Sequence, residues 1–411
     1  MSLVSTLALV GVFLLGWLGA TPDVEQRLFF GIWRTRVFAG LCTLVTVAIF
    51  SRLAASKRRC AFRLAAASLG ALAVFAILEL PAALGWFDYS RVFSGGDDAV
   101  GAKAIPHLEL RGEAPQDIAH AWHLPLPWLP FEFRSDQRGY RNAVDREDAD
   151  VYLLGDSILV AGLVPFAQTL THRIEAATGL RTMNIALIGV GVERQLRMLL
   201  DANVPLAGRF VLHFVFEGND LGDFARERRS LVPEPPGFAQ RSLVRNLITW
   251  LHLLSDPRRL AAERRFGDLG GRQVLFQWTD SSFRGLEAEI PHFLAACARI
   301  RDAVHERGGR HAVVYVPAKI RVLGPLCTWP EQSSLRGHVQ HLNPLRELLL
   351  ADARQRGVAV LDLSEPLAAA ALGGRIPYFL ADTHLDAVGH EVAAQAILAW
   401  PEFQRLAKAV R

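Results

Sequence analysis

A short apolar run that stops at a small polar tripeptide is the feature that most limits what this chain can fold into. Residues 151–154 read Val-Tyr-Leu-Leu, and Gly155-Asp156-Ser157 follows directly. A buried strand that ends in this way puts a serine hydroxyl at the carboxyl end of a sheet, where open α/β folds bind ligands. Because Gly, Asp and Ser also form ordinary turns, the interpretation depends on what the rest of the chain supplies.

Three later segments carry the residue types that an activated serine needs. One apolar run leads into Gly189, another leads into Asn219, and a loop near the C-terminus holds Asp382 and His384. A serine nucleophile needs a base to take its proton, and the base needs a carboxylate that orients it. The oxyanion formed in acyl transfer needs hydrogen-bond donors, which a glycine N–H and an asparagine amide can provide.

In order and spacing, these four blocks resemble those of the SGNH (GDSL-like) hydrolase family, and most closely its membrane-anchored bacterial branch. The resemblance extends from about residue 138 to about residue 398. It implies that Ser157 is the nucleophile and that His384 and Asp382 complete a catalytic triad. It also implies an oxyanion hole and a mechanism that needs no metal and no cofactor. The oxyanion donors are the N–H groups of Ser157 and Gly189 and the side chain of Asn219.

The sequence departs from the commonest family pattern in two places. Only Thr383 separates Asp382 from His384, where the pattern has two residues, and Ala186 replaces the first glycine of the second block. His390 is a second candidate for the base, although it lies on the helix predicted after the loop, where a histidine more often caps or packs. Each block also has an ordinary structural explanation as a turn glycine or a helix cap. Their joint occurrence in family order favours the hydrolase.

After residue 148 the chain alternates short apolar runs with amphipathic segments. This alternation is typical of βαβ units around a mostly parallel sheet. The predicted fold class is therefore α/β, with a three-layer α/β/α, flavodoxin-like SGNH domain. Strands are predicted at about 150–155, 182–187, 210–217, 311–317 and 358–363, and helices at about 166–178, 192–203, 285–307, 343–356 and 388–398.

We divide the chain into three parts. Residues 1–90 are predicted to form a membrane anchor of about three transmembrane helices, because Leu3–Ala20, Val37–Phe50 and Leu64–Phe87 approach the ~20 apolar residues that span a bilayer. Residues 91–148 form a connector rich in proline and aromatic residues that packs on the catalytic domain. The hydrolase-like domain occupies 149–411, with an insertion near 225–280. The connector aromatics expected to pack are Trp122, Trp128, Phe131 and Phe133.

The distribution of basic residues predicts the orientation. Residues 52–63 contain five basic side chains and no acidic one, so the positive-inside rule places this loop in the cytoplasm. With three spans, the N-terminus is cytoplasmic and everything after about Trp86 lies outside a bacterial inner membrane. A two-span arrangement would change the side of the N-terminus, and a cleaved signal peptide is the alternative for the first run. Glu79, inside the third run, would reach the interface, a backbone amide beside Pro81, or a membrane partner.

Composition excludes some classes of partner. Lys and Arg number 45 against 41 Asp and Glu, a mild excess, and no nucleic-acid-binding motif is present. The chain has neither a glycine-rich phosphate loop nor the Cys/His spacing of a zinc site. Lys319 follows a predicted strand at a position where a substrate contact could lie, but we expect it to be a surface residue. The sequence leaves open whether Cys297 and Cys327 form a disulfide.

The resemblance and the predicted orientation together imply a serine acyl-ester hydrolase that acts outside the cytoplasmic membrane. Its expected substrates are O-acyl groups, above all acetyl, on envelope or exported glycans, with lipid esters as the other candidate. Two alternatives remain. The chain could be an O-acetyltransferase subunit that works with a membrane acyltransferase, or a catalytically silent glycan-binding or assembly module.

Overall fold

A computed structural model describes most of the chain beyond residue 103. The described residues are 28–29, 32–33, 70, 77–87, 89, 104–121, 124, 126–229, 238–248, 266–277, 285–331, 333, 335–336 and 342–410. Among them, no helix combines the length and apolar character needed to span a bilayer. The predicted spans at 3–20 and 37–50 lie outside the described residues, as does the third span apart from residues 70 and 77–87.

The chain divides into two compact units. One consists of Met1–Asp97 and Pro233–Asp256, and the other of Asp98–Val232 and Pro257–Arg411. The strands, in chain order, are β1 (Leu28–Phe29), β2 (Ile32–Trp33), β3 (Glu109–Ala114), β4 (Leu129–Arg134), β5 (Val151–Gly155), β6 (Thr182–Ala186), β7 (Phe210–Phe216), β8 (Phe266–Leu269), β9 (Arg272–Leu275), β10 (Arg310–Val316) and β11 (Ala359–Asp362). The first two belong to the first unit.

Helices lie between and after these strands. They are α1 (Asp117–Ala121), α2 (Ser157–Val160), α3 (Leu170–Thr178), α4 (Val192–Asp201), α5 (Asp220–Arg229), α6 (Phe238–Arg241), α7 (Ile290–Glu306), α8 (Lys319–Leu323), α9 (Leu345–Gln355), α10 (Ser364–Leu372), α11 (Ala387–Ala399) and α12 (Pro401–Val410). Of these, α6 belongs to the first unit.

In the first unit, Glu79 has partners that the sequence did not suggest. Its carboxylate accepts hydrogen bonds from the Ser242 hydroxyl at 2.9 Å and from the Val244 N–H at 2.6 Å. These groups lie at the start of the helical residues 243–248. A carboxylate at a helix N-terminus satisfies N–H groups that have no partner within the helix. Glu79 therefore caps a helix that belongs to the predicted insertion.

The second unit is built on a five-stranded sheet in the order β11-β10-β7-β5-β6. All four pairings are parallel. Numbered along the sheet strands alone and read from β6, this is the order 2-1-3-4-5 of flavodoxin-like folds. The predicted α/β fold with a parallel sheet is confirmed, and each predicted strand lies within one residue of its observed limits.

Helices cover both faces of this sheet. Alternate side chains of a strand point to opposite faces, and on β7 Leu212 and Phe214 join one core cluster while Val211 and Val215 join the other. The first cluster includes side chains of α3, α10, α11 and α12, and the second includes side chains of α4, α7 and α9. The result is three layers with the sheet in the middle.

The two cysteines of the second unit lie in different core clusters. Cys327 belongs to the first cluster and Cys297 to the second. Both are buried and free. Because the sheet lies between the clusters, the thiols do not form the disulfide that the sequence left open.

The described part of the predicted connector contains a hairpin of β3 and β4. Pro130 lies within β4, opposite Glu113, and a two-stranded sheet tolerates proline because the missing N–H can face outward. The aromatic residues behave differently from one another. Phe133 is buried and Phe131 packs against the first core cluster, but Trp128 is exposed, and Trp122 lies outside the described residues.

Arg141, just before the sheet, holds the turn that follows α2. Its guanidinium donates to the carbonyls of Val160 at 2.8 Å and Ala161 at 2.6 Å, and to those of Val164 at 2.9 Å and Glu132 at 3.0 Å. Burial lowers the pKa of Arg141 to about 10. The Ala161 carbonyl also accepts the Val164 N–H at 2.9 Å, and the arginine is a donor that all four carbonyls share.

We expect Arg141→Met to destabilise the second unit by roughly 3 kcal/mol, because buried carbonyls left without donors are costly. Thermal and urea unfolding of the full chain in detergent measure this loss. Arg134→Met, at an exposed arginine of β4, is the matched control and should change stability by less than about 0.5 kcal/mol. Equal effects of the two substitutions would contradict this role for Arg141.

Candidate active site

The position of Ser157 follows from the end of β5. That strand stops at Gly155, and Ser157 is the first residue of α2, with Asp156 as its N-cap. The Asp156 carboxylate accepts the N–H of Ile158 at 3.1 Å, which fixes the turn between strand and helix. β5 lies between β7 and β6, so Ser157 sits at the carboxyl edge of the sheet with a strand on either side.

The C-terminal loop brings a histidine and a carboxylate to this serine. His384 Nε2 lies 2.9 Å from Ser157 Oγ, and His384 Nδ1 lies 2.6 Å from Asp382 Oδ1. The same Oδ1 accepts the backbone N–H of His384 at 2.9 Å. The short Asp-Thr-His spacing is therefore compatible with a triad, because one carboxylate oxygen reaches both the ring and the backbone of the histidine.

Electrostatics hold the Asp382–His384 pair as an ion pair near neutral pH. Partial burial by itself lowers the pKa of the His384 imidazole, but the charge of Asp382 more than offsets it and raises that pKa to about 9. Burial raises the pKa of the Asp382 carboxyl, yet His384 and the hydrogen bonds to the carboxylate hold it well below its usual range. The histidine must lose a proton before it can act as a base.

Asp156 gives the serine a second partner. Its Oδ2 lies 3.3 Å from Ser157 Oγ. While His384 is protonated, its Nε2–H donates to Oγ and the serine hydroxyl can donate to Asp156. When His384 loses its proton, Nε2 becomes the acceptor for the serine hydroxyl, and the site is in its general-base form. Burial raises the pKa of Asp156 to about 6, against its hydrogen bond from Ile158 and the nearby His384.

The two predicted oxyanion residues lie beyond the ends of the flanking strands. Gly189 is three residues past β6, and Asn219 is three residues past β7. Gly189 has φ +67°, in the left-handed region that favours glycine. The Asn219 Nδ2 donates to Asp223 Oδ2 at 2.9 Å, which orients the amide and uses one of its two hydrogens. The structure brings Ser157, His384 and Asp382 into hydrogen-bond contact and sets these two residues on the neighbouring strand ends.

His390, the second candidate base, has a different role. It is buried in α11, and its Nδ1 lies 3.2 Å from the N–H of Leu170 at the start of α3. Burial lowers the pKa of His390 to about 3, so the ring is neutral and can accept that bond. The neighbouring Gly389 is required by packing, since a Cβ there would lie 2.2 Å from the Pro377 carbonyl oxygen.

The expectation that Lys319 is a surface residue was wrong. Its side chain is buried, and Nζ donates to the carbonyls of Phe379 at 3.0 Å, Leu380 at 3.3 Å and Asp382 at 2.7 Å. Burial lowers the pKa of Lys319 to about 8, against the nearby Asp117 and Asp382 carboxylates. The ammonium group thus holds the loop that leads into His384. The sequence pattern places Lys319 only after a predicted strand and does not indicate these contacts.

Asp117 is a site residue that sequence reasoning missed. Its N–H donates to Asp382 Oδ2 at 2.7 Å, and its Oδ1 accepts the N–H of Thr383 at 2.8 Å. Its Oδ2 accepts the hydroxyl of Thr383 and lies 3.7 Å from His384 Nδ1. Asp117 precedes the triad loop by more than 260 residues, and no local pattern around it signals these contacts.

A metal ion does not suit this cluster. In the described part of the chain, Asp117, Asp382 and His384 offer candidate ligand atoms within 4.8 Å of one another. The carboxylate oxygens and Nδ1 already make the hydrogen bonds given above. An ion bound there would displace the Asp382–His384 bond. His384 Nε2 is in turn 2.9 Å from Ser157 Oγ, so the cluster is part of a hydrogen-bonded line that ends at the serine.

A family comparison covers the C-terminal third of the chain. Residues 270–406 match the family model described as "SGNH hydrolase-like domain, acetyltransferase AlgX". The match includes Asp382 and His384, whereas Ser157, Gly189 and Asn219 lie upstream of it. It confirms the predicted resemblance to SGNH hydrolases and the prediction of an SGNH-type serine esterase or related O-acyltransferase.

Several solved structures are similar to the chain. An acetyl xylan esterase, AlAXEase, shares 13% identity over 61% of this chain and 98% of its own, with a TM-score of 0.35. A GDSL-like lipase from Bacteroides thetaiotaomicron VPI-5482 shares 11% identity over 64% of this chain and 89% of its own, with a TM-score of 0.32. A carbohydrate esterase family 2 enzyme with a carbohydrate-binding domain, from Corynascus thermopiles (Myceliophthora fergusii), shares 12% identity over 68% of this chain and 71% of its own. Its TM-score is 0.31. TM-scores this low carry no functional argument. A comparison with curated proteins finds no match.

We expect a fluorophosphonate to label Ser157 in the full chain in detergent, because a serine beside a base and its carboxylate is nucleophilic. Ser157→Ala should abolish labelling. His384→Ala should slow it at least ~100-fold, the lower end of what a general base contributes. In-gel fluorescence over time measures the rates.

His390→Gln distinguishes the two candidate bases. Glutamine keeps an acceptor for the Leu170 N–H, so labelling should proceed near the wild-type rate. Loss of labelling in this variant, with labelling retained in His384→Ala, would assign the base to His390. A folded wild-type chain that fails to label would favour the silent binding module.

Proposed function

Because this chain carries an SGNH hydrolase-like domain, we propose that it is a serine acyl-ester enzyme that works through an acyl-enzyme on Ser157. One observation carries the proposal. A serine hydroxyl, an imidazole and a buried carboxylate form one hydrogen-bonded line, with 2.9 Å from Ser157 Oγ to His384 Nε2 and 2.6 Å from His384 Nδ1 to Asp382 Oδ1. That arrangement is the one that acyl transfer through serine requires.

The first half of the reaction forms the acyl-enzyme. Neutral His384 takes the hydroxyl proton of Ser157 at Nε2 while Oγ attacks the carbonyl carbon of an ester. The carbonyl oxygen becomes an oxyanion, for which the Ser157 N–H, the Gly189 N–H and the remaining Asn219 N–H are the donors. Asp382 stabilises the imidazolium that forms. His384 then returns its proton to the alcohol oxygen as the C–O bond breaks, and the alcohol leaves.

The second half releases the acyl group. A water molecule or a sugar hydroxyl gives its proton to His384 and attacks the acyl carbon. The tetrahedral intermediate collapses, Ser157 recovers its proton from His384, and the product is an acid or a new ester. Both outcomes use the same residues in the same roles, so the triad geometry permits hydrolysis and transfer alike.

We propose acetyl groups on glycans as the substrate. The matched family model is described as an SGNH hydrolase-like domain of an acetyltransferase, and this description supports an acetyl donor or product. The primary candidate is an esterase that removes O-acetyl groups from an envelope or exported glycan. The same description favours a second candidate, an O-acetyltransferase that passes the acetyl group to a sugar hydroxyl and works beside a membrane acyltransferase.

The purified full chain should release 4-nitrophenol from 4-nitrophenyl acetate, and Ser157→Ala should reduce the rate at least ~10³-fold. Product analysis with neutral oligosaccharides present then separates the two candidates. An esterase releases acetate at a rate independent of the oligosaccharide, whereas a transferase yields an O-acetylated oligosaccharide, detectable by mass spectrometry, at the expense of acetate. Equal activity of Ser157→Ala would overturn the proposal.

We infer that the enzyme is anchored in a bacterial inner membrane, with its acyl-ester site on the outer side. The apolar runs and the basic loop at residues 52–63 support this arrangement. So does the apolar surface at the end of the third run, because a bilayer would cover side chains that water disfavours. The exposed apolar side chains there are Ile77, Leu78, Leu80, Leu84, Trp86 and Phe87.

Cysteine accessibility in spheroplasts tests this topology. Glu113→Cys, at an exposed position of β3, should react with a membrane-impermeant maleimide before lysis. Native Cys60, in the basic loop, should react only after lysis, and buried Cys297 and Cys327 should remain unreactive until denaturation. Labelling of Cys60 in intact spheroplasts, or protection of Glu113→Cys, would contradict the proposed orientation.

A further inference from the structure

We propose that Asp117 is a positioning residue of the acyl-transfer site, which grips the residue between Asp382 and His384 and supplies a second negative charge beside the imidazole. This inference rests on the proposed serine function. Asp117 belongs to the segment before β5, outside the four sequence blocks that carry the triad and oxyanion residues.

The side chain of Asp117 holds Thr383 at two points. Its Oδ1 accepts the Thr383 N–H at 2.8 Å, and its Oδ2 accepts the Thr383 hydroxyl. Thr383 is the one residue between the carboxylate and the base. Fixing both its backbone and its side chain leaves the loop little freedom to rotate Asp382 away from His384, and small misplacements of catalytic groups are expensive in rate.

The backbone of Asp117 completes the carboxylate of the triad. Its N–H donates to Asp382 Oδ2 at 2.7 Å, while Oδ1 faces the ring and the N–H of His384. Both carboxylate oxygens are therefore committed. Because the Asp117 N–H does not depend on its side chain, a substitution at this position leaves this bond. Asp117→Asn removes the charge and replaces the oxygen that accepts the Thr383 hydroxyl with a donor, while its remaining amide oxygen can still accept the Thr383 N–H.

Helix α1 is fixed firmly enough to act as a support. Ala119 N–H donates to the Ala381 carbonyl at 3.2 Å. Ile118 and Ala119 are buried with Leu275 and Ala381 in a small separate core cluster. The apolar contacts attach α1 to the residue just before Asp382. Any displacement of α1 would therefore also displace the triad loop.

The negative charge of Asp117 acts on the imidazole of His384. Asp117 Oδ2 lies 3.7 Å from His384 Nδ1, and the other charged groups that face the imidazole are Asp382 and Asp156. The Lys319 ammonium interacts with the Asp117 and Asp382 carboxylates. Burial, followed by the charge of Asp382, raises the pKa of Asp117 to about 6. Asp117 is therefore ionised throughout the range in which His384 loses its proton, and it favours the imidazolium.

The sign of the effect distinguishes positioning from simple support of the fold. A carboxylate that raises the pKa of His384 delays formation of the general base as pH increases. Its removal should lower the maximal rate, because the loop is held less firmly, and should also move the acid limb of the rate profile to lower pH. A residue that merely stabilised the fold would not move the limb.

The test is the second-order rate of fluorophosphonate labelling of the full chain in detergent, across a pH range that brackets the His384 pKa of about 9. For Asp117→Asn we expect a roughly tenfold lower plateau and an acid limb displaced to lower pH by about one unit. Thr383→Val removes the hydroxyl, which donates to Asp117 and lies 3.4 Å from His384 Nδ1, but removes no charge. Its plateau should therefore fall while its acid limb moves much less than that of Asp117→Asn.

Glu113→Gln is the matched control, since it removes one carboxylate charge from an exposed position four residues upstream of Asp117. Its profile should coincide with that of the wild type. The charge of Asp117 would have no effect on His384 if the acid limb of the Asp117→Asn pH–rate profile coincided with that of the wild type while the thermal midpoint was unchanged. That result would overturn this part of the proposal. A plateau for both Asp117→Asn and Thr383→Val equal to that of Glu113→Gln would overturn the positioning role. An unlabelled wild-type chain would instead overturn the serine function itself.

Discussion

The site depends on one buried carboxylate, that of Asp382, whose two oxygens both accept hydrogen bonds. Removing the charge of Asp382 from water is costly, and that cost is offset only where donors replace the lost hydration. The His384 ring and N–H bind one oxygen and the Asp117 N–H binds the other. The serine–imidazole line is therefore oriented by a group that has almost no freedom of its own, and other elements of the second unit serve to keep those donors in place.

Two further buried donors come from segments far apart in the chain. Lys319 enters from α8, after β10, and binds three carbonyls of the triad loop. Arg141 enters from the segment before β5 and binds carbonyls of the turn after α2. Both are buried cations whose partners are backbone carbonyls. Backbone carbonyls in loops lack the regular hydrogen bonds of helices and strands, and each cation supplies the missing donors. Tight loops can therefore be buried beside the sheet.

The strands of the five-stranded sheet and their order along the chain could be predicted because these strands are mainly apolar and alternate with amphipathic segments, a pattern that the local sequence displays. The triad blocks could be found for the same reason, since each follows a strand or stands in one short loop. The roles of Asp117 and Lys319, and the helix cap that Glu79 provides, could not be predicted, because each depends on partners distant in sequence. The short helices α2 and α8 were also missed, since one turn carries no periodicity.

The contacts of α1 bear on where the catalytic domain begins. By its apolar pattern the domain starts near residue 149, and a polypeptide cut there would retain the whole sheet and the triad side chains. It would lose the Asp117 N–H and leave one oxygen of Asp382 buried without its donor. The apolar pattern and the assembled active site therefore give different N-terminal limits for this domain, and the second lies upstream of the first.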